Sequence, residues 1–506
     1  MSISPVDTTN SPCAKLHTLS INTVSFSSGF WANRQSINRE ISLYHAYDQL
    51  TCAGNFNNLH IASGQGKDKF RGLMFADSDV YKWLEAVAYA LTTKPDPRLQ
   101  KMADHTIDLI ETAQTNDGYV NSYWQTIGSD RRWEDLELGH ELYCAGHLIQ
   151  AGIAYHFATG DPKLLEVSRR FADHIIHVFR FNKKTGIPGH PEIETAMIEL
   201  YRYTSEHDYL DMANHLINQR GNGLLKPNIL PSYLSQFGSE YFQDHVPVRE
   251  SVNLTGHAVR QLYLNCGVTD LYLETGERAL YDALIHQWID MAKHHLFITG
   301  GVGSQPIGET FGEPYVLPNN RCYCETCAQI ASIMWNWRML LATGEAQYAD
   351  LIETTLYNGF LSGVSLDGRK FFYVNPLQST NTKDYNPFNN ENLGRTRSER
   401  QQWFDCACCP PNVMRLIASF GHYIATRDAN GIQIHQYAQA SLNFETNREQ
   451  KVLLRMETNY PWDGLVKIIV DETGINTWTL SLRIPKWAEN ASIRINDIPS
   501  NMTITP

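Results

Sequence analysis

One short turn recurs through the body of this 506-residue chain. It reads Ala158-Thr159-Gly160-Asp161-Pro162, Glu274-Thr275-Gly276-Glu277 and Ala342-Thr343-Gly344-Glu345, with degenerate versions at Thr93-Lys94-Pro95-Asp96-Pro97 and Thr204-Ser205-Glu206-His207-Asp208. A glycine there ends one helix in the left-handed conformation, and the acidic residue after it suits the positive start of the next. Between the turns apolar residues stand three and four apart, as in Asp79–Leu91 and Glu325–Trp337, which predicts helices with one buried face each. The repeating unit is a helical hairpin, and periodicity alone yields about a dozen helices. Such hairpins close into an (α/α)6 barrel or stack as an open solenoid. Insertions near 119–137, 219–253, 297–324 and 371–405, rich in Gly, Pro, Asn and aromatics, are too irregular for a uniform array and favour the barrel. Long ordered loops of this kind usually carry function.

After about residue 430 the pattern changes to alternation. Gly431–Tyr437, Lys451–Met456, Leu465–Val470, Trp478–Ile484 and Ser492–Ile495 read as strands of a β-sandwich. The expected fold is mainly α: an (α/α)6-barrel catalytic domain over 30–429, then an all-β sandwich domain over 430–506. Residues 1–29 form an N-terminal segment whose run His17–Phe26 can add a strand to the sandwich. Pro506 follows shortly on the last strand, which leaves open whether the β region is complete.

A formal charge of -12 argues against nucleic acid or an anionic membrane as partner, since both reward a basic face. No window of about 18 apolar residues occurs, so no membrane span is expected. Met1–Thr18 has neither a basic nor an apolar export region, and the expected location is cytoplasmic. Thiols stay reduced there, which favours metal binding or nucleophilic catalysis over disulfides for clustered cysteines.

Six of the ten cysteines fall in two knots, Cys322-Tyr-Cys324-Glu-Thr-Cys327 and Cys406-Ala-Cys408-Cys409-Pro-Pro. Zinc favours thiolate, imidazole and carboxylate ligands in a tetrahedron, and each knot supplies a pair. Glu325-x-Cys327 opens one helix; Cys408-Cys409 opens another, because Pro410-Pro411 suits a first turn. A helix start lowers a thiol pKa even without metal. A closed structural site of four cysteines fits the spacing equally well. Three Gly-His pairs, at His140, His190 and His257, also stand at helix starts, where imidazoles are biased toward neutrality and can bind hydroxyls. In a barrel whose inner helices begin at one rim they would converge on one pocket. A capping or packing role is the alternative for each. Glycosyl transfer to water needs a proton donor and, for retention, a nucleophile across the anomeric carbon. Glu309, Glu313 and Glu325 are candidate carboxylates among many.

Read together, Asp77–Glu85, Gly189-His-Pro-Glu-Ile-Glu194, Gly300-Gly-Val-Gly-Ser304, Gly308-Glu-Thr-Phe311, Leu317-Pro-Asn319, Glu325-Thr-Cys-Ala328, Tyr373-Val-Asn375 and Cys406-Ala-Cys-Cys-Pro-Pro-Asn412 resemble glycoside hydrolase family 127, whose type enzyme is a β-L-arabinofuranosidase with a zinc-thiolate active site. The resemblance runs in order from about Phe30 to about Trp487. It implies the barrel followed by β-sandwich modules. It also implies Zn2+ held by Glu325, Cys327, Cys408 and Cys409, Cys408 as nucleophile, Glu309 as acid/base, and sugar contacts from His140, His190, His257 and Tyr373. The implied substrate is a small oligosaccharide or glycoside ending in β-L-arabinofuranose, with a homodimer left open. Cys322 and Cys324 depart from the pattern: they either rearrange the metal site or simply pack. Two further readings remain: the same machinery on another uncommon pentose-derived sugar of pectin, and a non-catalytic helical-repeat protein with a structural zinc.

Overall fold

Each glycine of the recurring turn ends a helix. Gly160, Gly276 and Gly344 take φ of 78°, 69° and 73°, and their N–H groups return to the carbonyls of His156, Tyr272 and Leu340. The structure, a computed structural model, describes residues 4–226, 235–378, 399–445, 450–500 and 504. Parts of two expected insertions, 227–234 and 379–398, lie outside the described residues.

Six helices form an inner ring: α1 (Asp77–Thr93), α2 (Glu141–Thr159), α3 (Ile193–Thr204), α4 (Ala258–Thr275), α5 (Thr326–Thr343) and α6 (Cys409–Ala418). Each packs on the next and α6 returns to α1, so the ring closes as a barrel and the solenoid is excluded. The helices Pro97–Ala113, Lys163–Ile176, His207–Gln219, Arg278–Asp290 and Ala346–Thr354 follow the first five inner helices and pack behind them. This layering corrects the expectation of one buried face per helix. All of α5 is buried, as is α1 from Asp77 to Leu91, because one side meets the outer ring and the other the barrel axis. Only outer helices such as Lys163–Ile176 keep a single buried stripe.

A helix buried on every face must pair its polar side chains. Asp270 on α4, fully buried, accepts from Arg338 Nε of α5 at 2.6 Å and Arg202 Nη1 of α3 at 2.8 Å. Arg338 also reaches Glu199 on α3 at 3.0 Å, and Arg202 reaches Glu274 at 2.6 Å. This clip ties three inner helices together. Asp270→Asn leaves two buried guanidinium groups facing a neutral amide, and we expect the unfolding free energy to fall by about 3–5 kcal/mol in denaturant titration. A loss below about 1 kcal/mol would show that the clip adds little.

The strands form two four-stranded sheets. One has the order β1 (His17–Thr18), β3 (Ala425–Arg427), β4 (Gly431–Ile434), β8 (Thr479–Leu482); the other runs β2 (Val24–Ser25), β5 (Ala440–Glu445), β6 (Lys451–Thr458), β7 (Val466–Glu472). A separate pair, Arg494–Ile495 and Ile498–Pro499, follows. The early run therefore feeds both sheets, with His17 opposite Arg427 and Val24 opposite Leu442. Alternation buries Val452, Leu454 and Met456 of β6, together with Leu442 and Phe444 of β5. β3 begins before residue 430, and neither it nor β5 was anticipated from the sequence. The N-terminal segment ties sandwich to barrel: the N–H groups of Lys15 and Leu16 both donate to the Leu341 carbonyl. Among the described residues no helix is long and apolar enough to cross a membrane.

Candidate active site

The inner helices deliver their first residues to one rim of the barrel. His140 caps α2, His257 caps α4, Glu325 caps α5 and Cys408 caps α6, while His190 stands just before α3. The glycine before each histidine lets two backbones touch. A Cβ at Gly189 would lie 2.0 Å from the Glu137 carbonyl oxygen, and one at Gly256 would lie 2.1 Å from that of Glu240.

Glu325, Cys327, Cys408 and Cys409 form one group whose ligand atoms all lie within 4.8 Å of one another. Cys327 Sγ is 3.3 Å from Cys409 Sγ, Cys408 Sγ is 3.8 Å from Cys409 Sγ, and Glu325 Oε1 is 3.7 Å from Cys408 Sγ and 3.8 Å from Cys409 Sγ. A tetrahedron with metal–sulfur bonds of about 2.3 Å has edges of about 3.8 Å, so this donor set fits a tetrahedral metal ion. Cys327, Cys409 and Glu325 are buried, whereas Cys408 is half-buried. Tyr373, brought alongside by the bridge between Glu325 and Val374, places its hydroxyl 3.2 Å from Cys408 Sγ. Cys322 and Cys324 are not in this group. They pack with Phe297 in a small apolar cluster, where Cys322 Sγ accepts the Leu377 N–H at 3.3 Å.

Glu309 joins the same site from the insertion between α4 and α5. It ends a tight turn, Ile307–Glu309, in which Gly308 and Glu309 both have positive φ, 69° and 57°. A non-glycine residue held there is strained, and such strain gathers at functional sites. Its Oε2 lies 3.2 Å from His257 Nε2, and His257, Glu309 and Glu325 form a second close group within 4.8 Å. His257 Nδ1 accepts the Val259 N–H at 3.2 Å, so Nε2 carries the proton and donates it toward Glu309.

The three histidines stand in a row: ring centres of His140 and His190 are 5.9 Å apart, as are those of His190 and His257. Burial, reinforced by the Arg260 guanidinium, pushes His140 down to about 3 and His190 well below its ordinary value. Both are therefore neutral imidazoles. His140 Nδ1 donates to the Leu138 carbonyl and His190 Nδ1 to the Pro191 carbonyl at 2.8 Å, which leaves each Nε2 as an acceptor for a hydroxyl.

Sequence reasoning missed several residues of this site. Lys82 is fully buried on α1, with Nζ 3.2 Å from Asp79 Oδ1 and 3.2 Å from the Cys408 carbonyl. Burial opposes its charge, but Asp79 and the nearby cysteines outweigh that and hold the ammonium above its ordinary pKa. Tyr143 and Tyr263 flank His190 at 4.4 and 5.5 Å between ring centres. The available signal was a lysine three residues after Asp79 in a helix whose other face is apolar, since a lysine there must be paired once buried.

The nine side chains to which the resemblance assigns roles thus share one rim. Residues 23–422 match the family model described as β-L-arabinofuranosidase, GH127 catalytic domain, and residues 431–505 match the GH127 middle domain. The chain belongs to glycoside hydrolase family 127. This GH127 chain is 37% identical over 467 residues to the non-reducing end β-L-arabinofuranosidase of Bifidobacterium longum subsp. longum, covering 88% of this chain and 69% of that protein. Its fold superposes on a GH127 β-L-arabinofuranosidase from Geobacillus stearothermophilus T6 with a TM-score of 0.86 and 39% identity, covering 94% of this chain and 77% of the other. A second solved GH127 β-arabinofuranosidase, BT3674, gives a TM-score of 0.87 at 31% identity, covering 97% and 78%. The chain is a glycoside hydrolase with an α-helical barrel and a β domain, and the helical-repeat binding protein is set aside.

Proposed function

We propose that this chain is a retaining β-L-arabinofuranosidase that releases terminal β-L-arabinofuranose from plant-derived oligosaccharides or glycoproteins. The observation that carries the reading is that Glu325 belongs to both close groups at the rim, so that Cys408 and Glu309 each bring a ligand atom within 4.8 Å of a Glu325 carboxylate oxygen. A nucleophile and a proton donor flanking one cavity are what hydrolysis with retention requires.

Zinc held by Glu325, Cys327, Cys408 and Cys409 would supply a thiolate at neutral pH without a histidine base. Cys408 is the sulfur suited to attack the anomeric carbon, because it is the least buried of the three and the Tyr373 hydroxyl orients it. Glu309 protonates the departing oxygen, and the aglycone leaves. Glu309 then takes a proton from water as that water breaks the sulfur–carbon bond, and the sugar leaves with its configuration retained. The His257 N–H keeps Glu309 in place between the two steps. His140 and His190 accept hydrogen bonds from sugar hydroxyls through their bare Nε2 atoms. A site that depends on thiols needs a reducing compartment, which supports a cytoplasmic location.

Metal removal tests the ligand set. The purified protein is expected to carry about one zinc per chain by elemental analysis, with an X-ray absorption signature of three sulfurs and one light atom. Dialysis against a chelator should abolish hydrolysis of p-nitrophenyl β-L-arabinofuranoside, and added zinc should restore it. A four-sulfur shell, or full activity in the metal-free protein, would sink this reading.

A further inference from the structure

Cys408 begins α6 without the side-chain hydrogen bond that commonly fixes a helix start. Its thiol lies instead beside the Tyr373 hydroxyl and Glu325. The grip on this turn comes from the neighbouring inner helix, α1. Lys82 Nζ donates to the Cys408 carbonyl at 3.2 Å, and Asp79 Oδ1, one turn earlier on α1, lies 3.2 Å from the same nitrogen. The Tyr143 ring, which flanks His190, is centred 5.9 Å from it.

Neither charge reaches water: Lys82 is fully buried and Asp79 is 5% exposed. Taking two ions out of water is costly, and apolar residues of similar volume would join α1 to α6 as well or better. Stability therefore gives no reason for a charged pair here, whereas the atom that the ammonium meets does. The Cys408 carbonyl lies in one plane with the Cα that carries the thiol, so anchoring the first anchors the second. Attack on an anomeric carbon tolerates little error, since a displacement of about 1 Å can cost about 10²-fold in rate.

We infer that Lys82 is the positioning residue of the nucleophile: held in line by Asp79, it fixes the start of α6 so that the Cys408 sulfur is aimed at the sugar and kept in one donor group with Glu325, Cys327 and Cys409. The inference rests on the reading of Cys408 as nucleophile and adds the part of the chain that sets its aim. Lys82 acts through Cys408 and transfers no proton.

Two variants separate aim from stability. Lys82→Met removes the grip and leaves Asp79 buried and unpaired, whereas the double variant Asp79→Leu/Lys82→Met removes the grip and puts apolar side chains in place of the pair. We expect the melting temperature to drop in the first and to return toward that of the wild type in the second. In both, kcat on p-nitrophenyl β-L-arabinofuranoside should be about 10–100-fold low with KM within about threefold of wild type, and a chelator should strip the metal about tenfold faster. If kcat and the rate of metal loss recover in the double variant along with the melting temperature, Lys82 serves only to neutralise Asp79 and the inference is overturned. A loss confined to KM overturns it as well, and so does a double variant that fails to fold, which would make the pair structural. Near-full activity of Cys408→Ser would instead overturn the reading on which the inference rests, whatever the two Lys82 variants do.

Discussion

Cys408→Ser is expected to lower kcat for β-L-arabinofuranoside hydrolysis by about 10³-fold or more while the protein still binds its metal. A serine oxygen can remain a ligand, so the loss isolates the nucleophile from the metal site. Cys408 differs from its neighbours in exposure: Cys327 is 3% exposed and Cys409 fully buried, whereas Cys408 is half-buried at the cap of α6. Cys327→Ser and Cys409→Ser should act differently, weakening the metal site and the fold around it together. Kinetics and metal content measured on the same preparations separate the two patterns. With a slow substrate, intact-protein mass spectrometry should find one sugar residue attached to the wild-type chain and none on Cys408→Ser. Near-full activity of Cys408→Ser with zinc bound would end the covalent mechanism.

Much of this site was legible because its residues sit where local rules apply. Helix-ending glycines such as Gly276 announce themselves by the residues around them, and so do helix starts such as Cys408-Cys409-Pro410-Pro411. The barrel rim is assembled from such starts, so marking them in the sequence also marks the site. Clustering was readable and role was not: spacing could not tell a four-cysteine site from one that includes Glu325, and the assignments of Cys408 and Glu309 came from the resemblance. Lys82 and Asp79 escaped because they lie inside α1, where a helical pattern implies a solvent face that the closed ring removes. Cys322 and Cys324 looked like ligands by spacing, yet Cys324 has φ of 42° and both pack on Phe297, outside the donor group. β3 has only three residues and gives alternation no room to register.

Glu309→Gln should cost about 10²–10⁴-fold in kcat/KM on natural oligosaccharide substrates, whose leaving alkoxide needs a proton, and much less on p-nitrophenyl β-L-arabinofuranoside. The activated phenolate departs unaided, so on that substrate the defect should move to the second step. Loss of the carboxylate leaves no base for water, and sugar should accumulate on Cys408. Azide needs no deprotonation, and adding it to Glu309→Ala should restore turnover and yield arabinofuranosyl azide of retained configuration. His257 sharpens the assignment. Its N–H contacts Glu309 Oε2 at 3.2 Å while its Nδ1 is held by the Val259 N–H, so His257→Ala should lower activity through Glu309 without opening the route to azide. If instead Glu309→Gln lost the same factor on both substrates and azide rescued neither variant, the proton would have to come from elsewhere at the rim. The close pairing of Glu309 with Glu325 would then indicate a role in holding the metal rather than in transferring the proton.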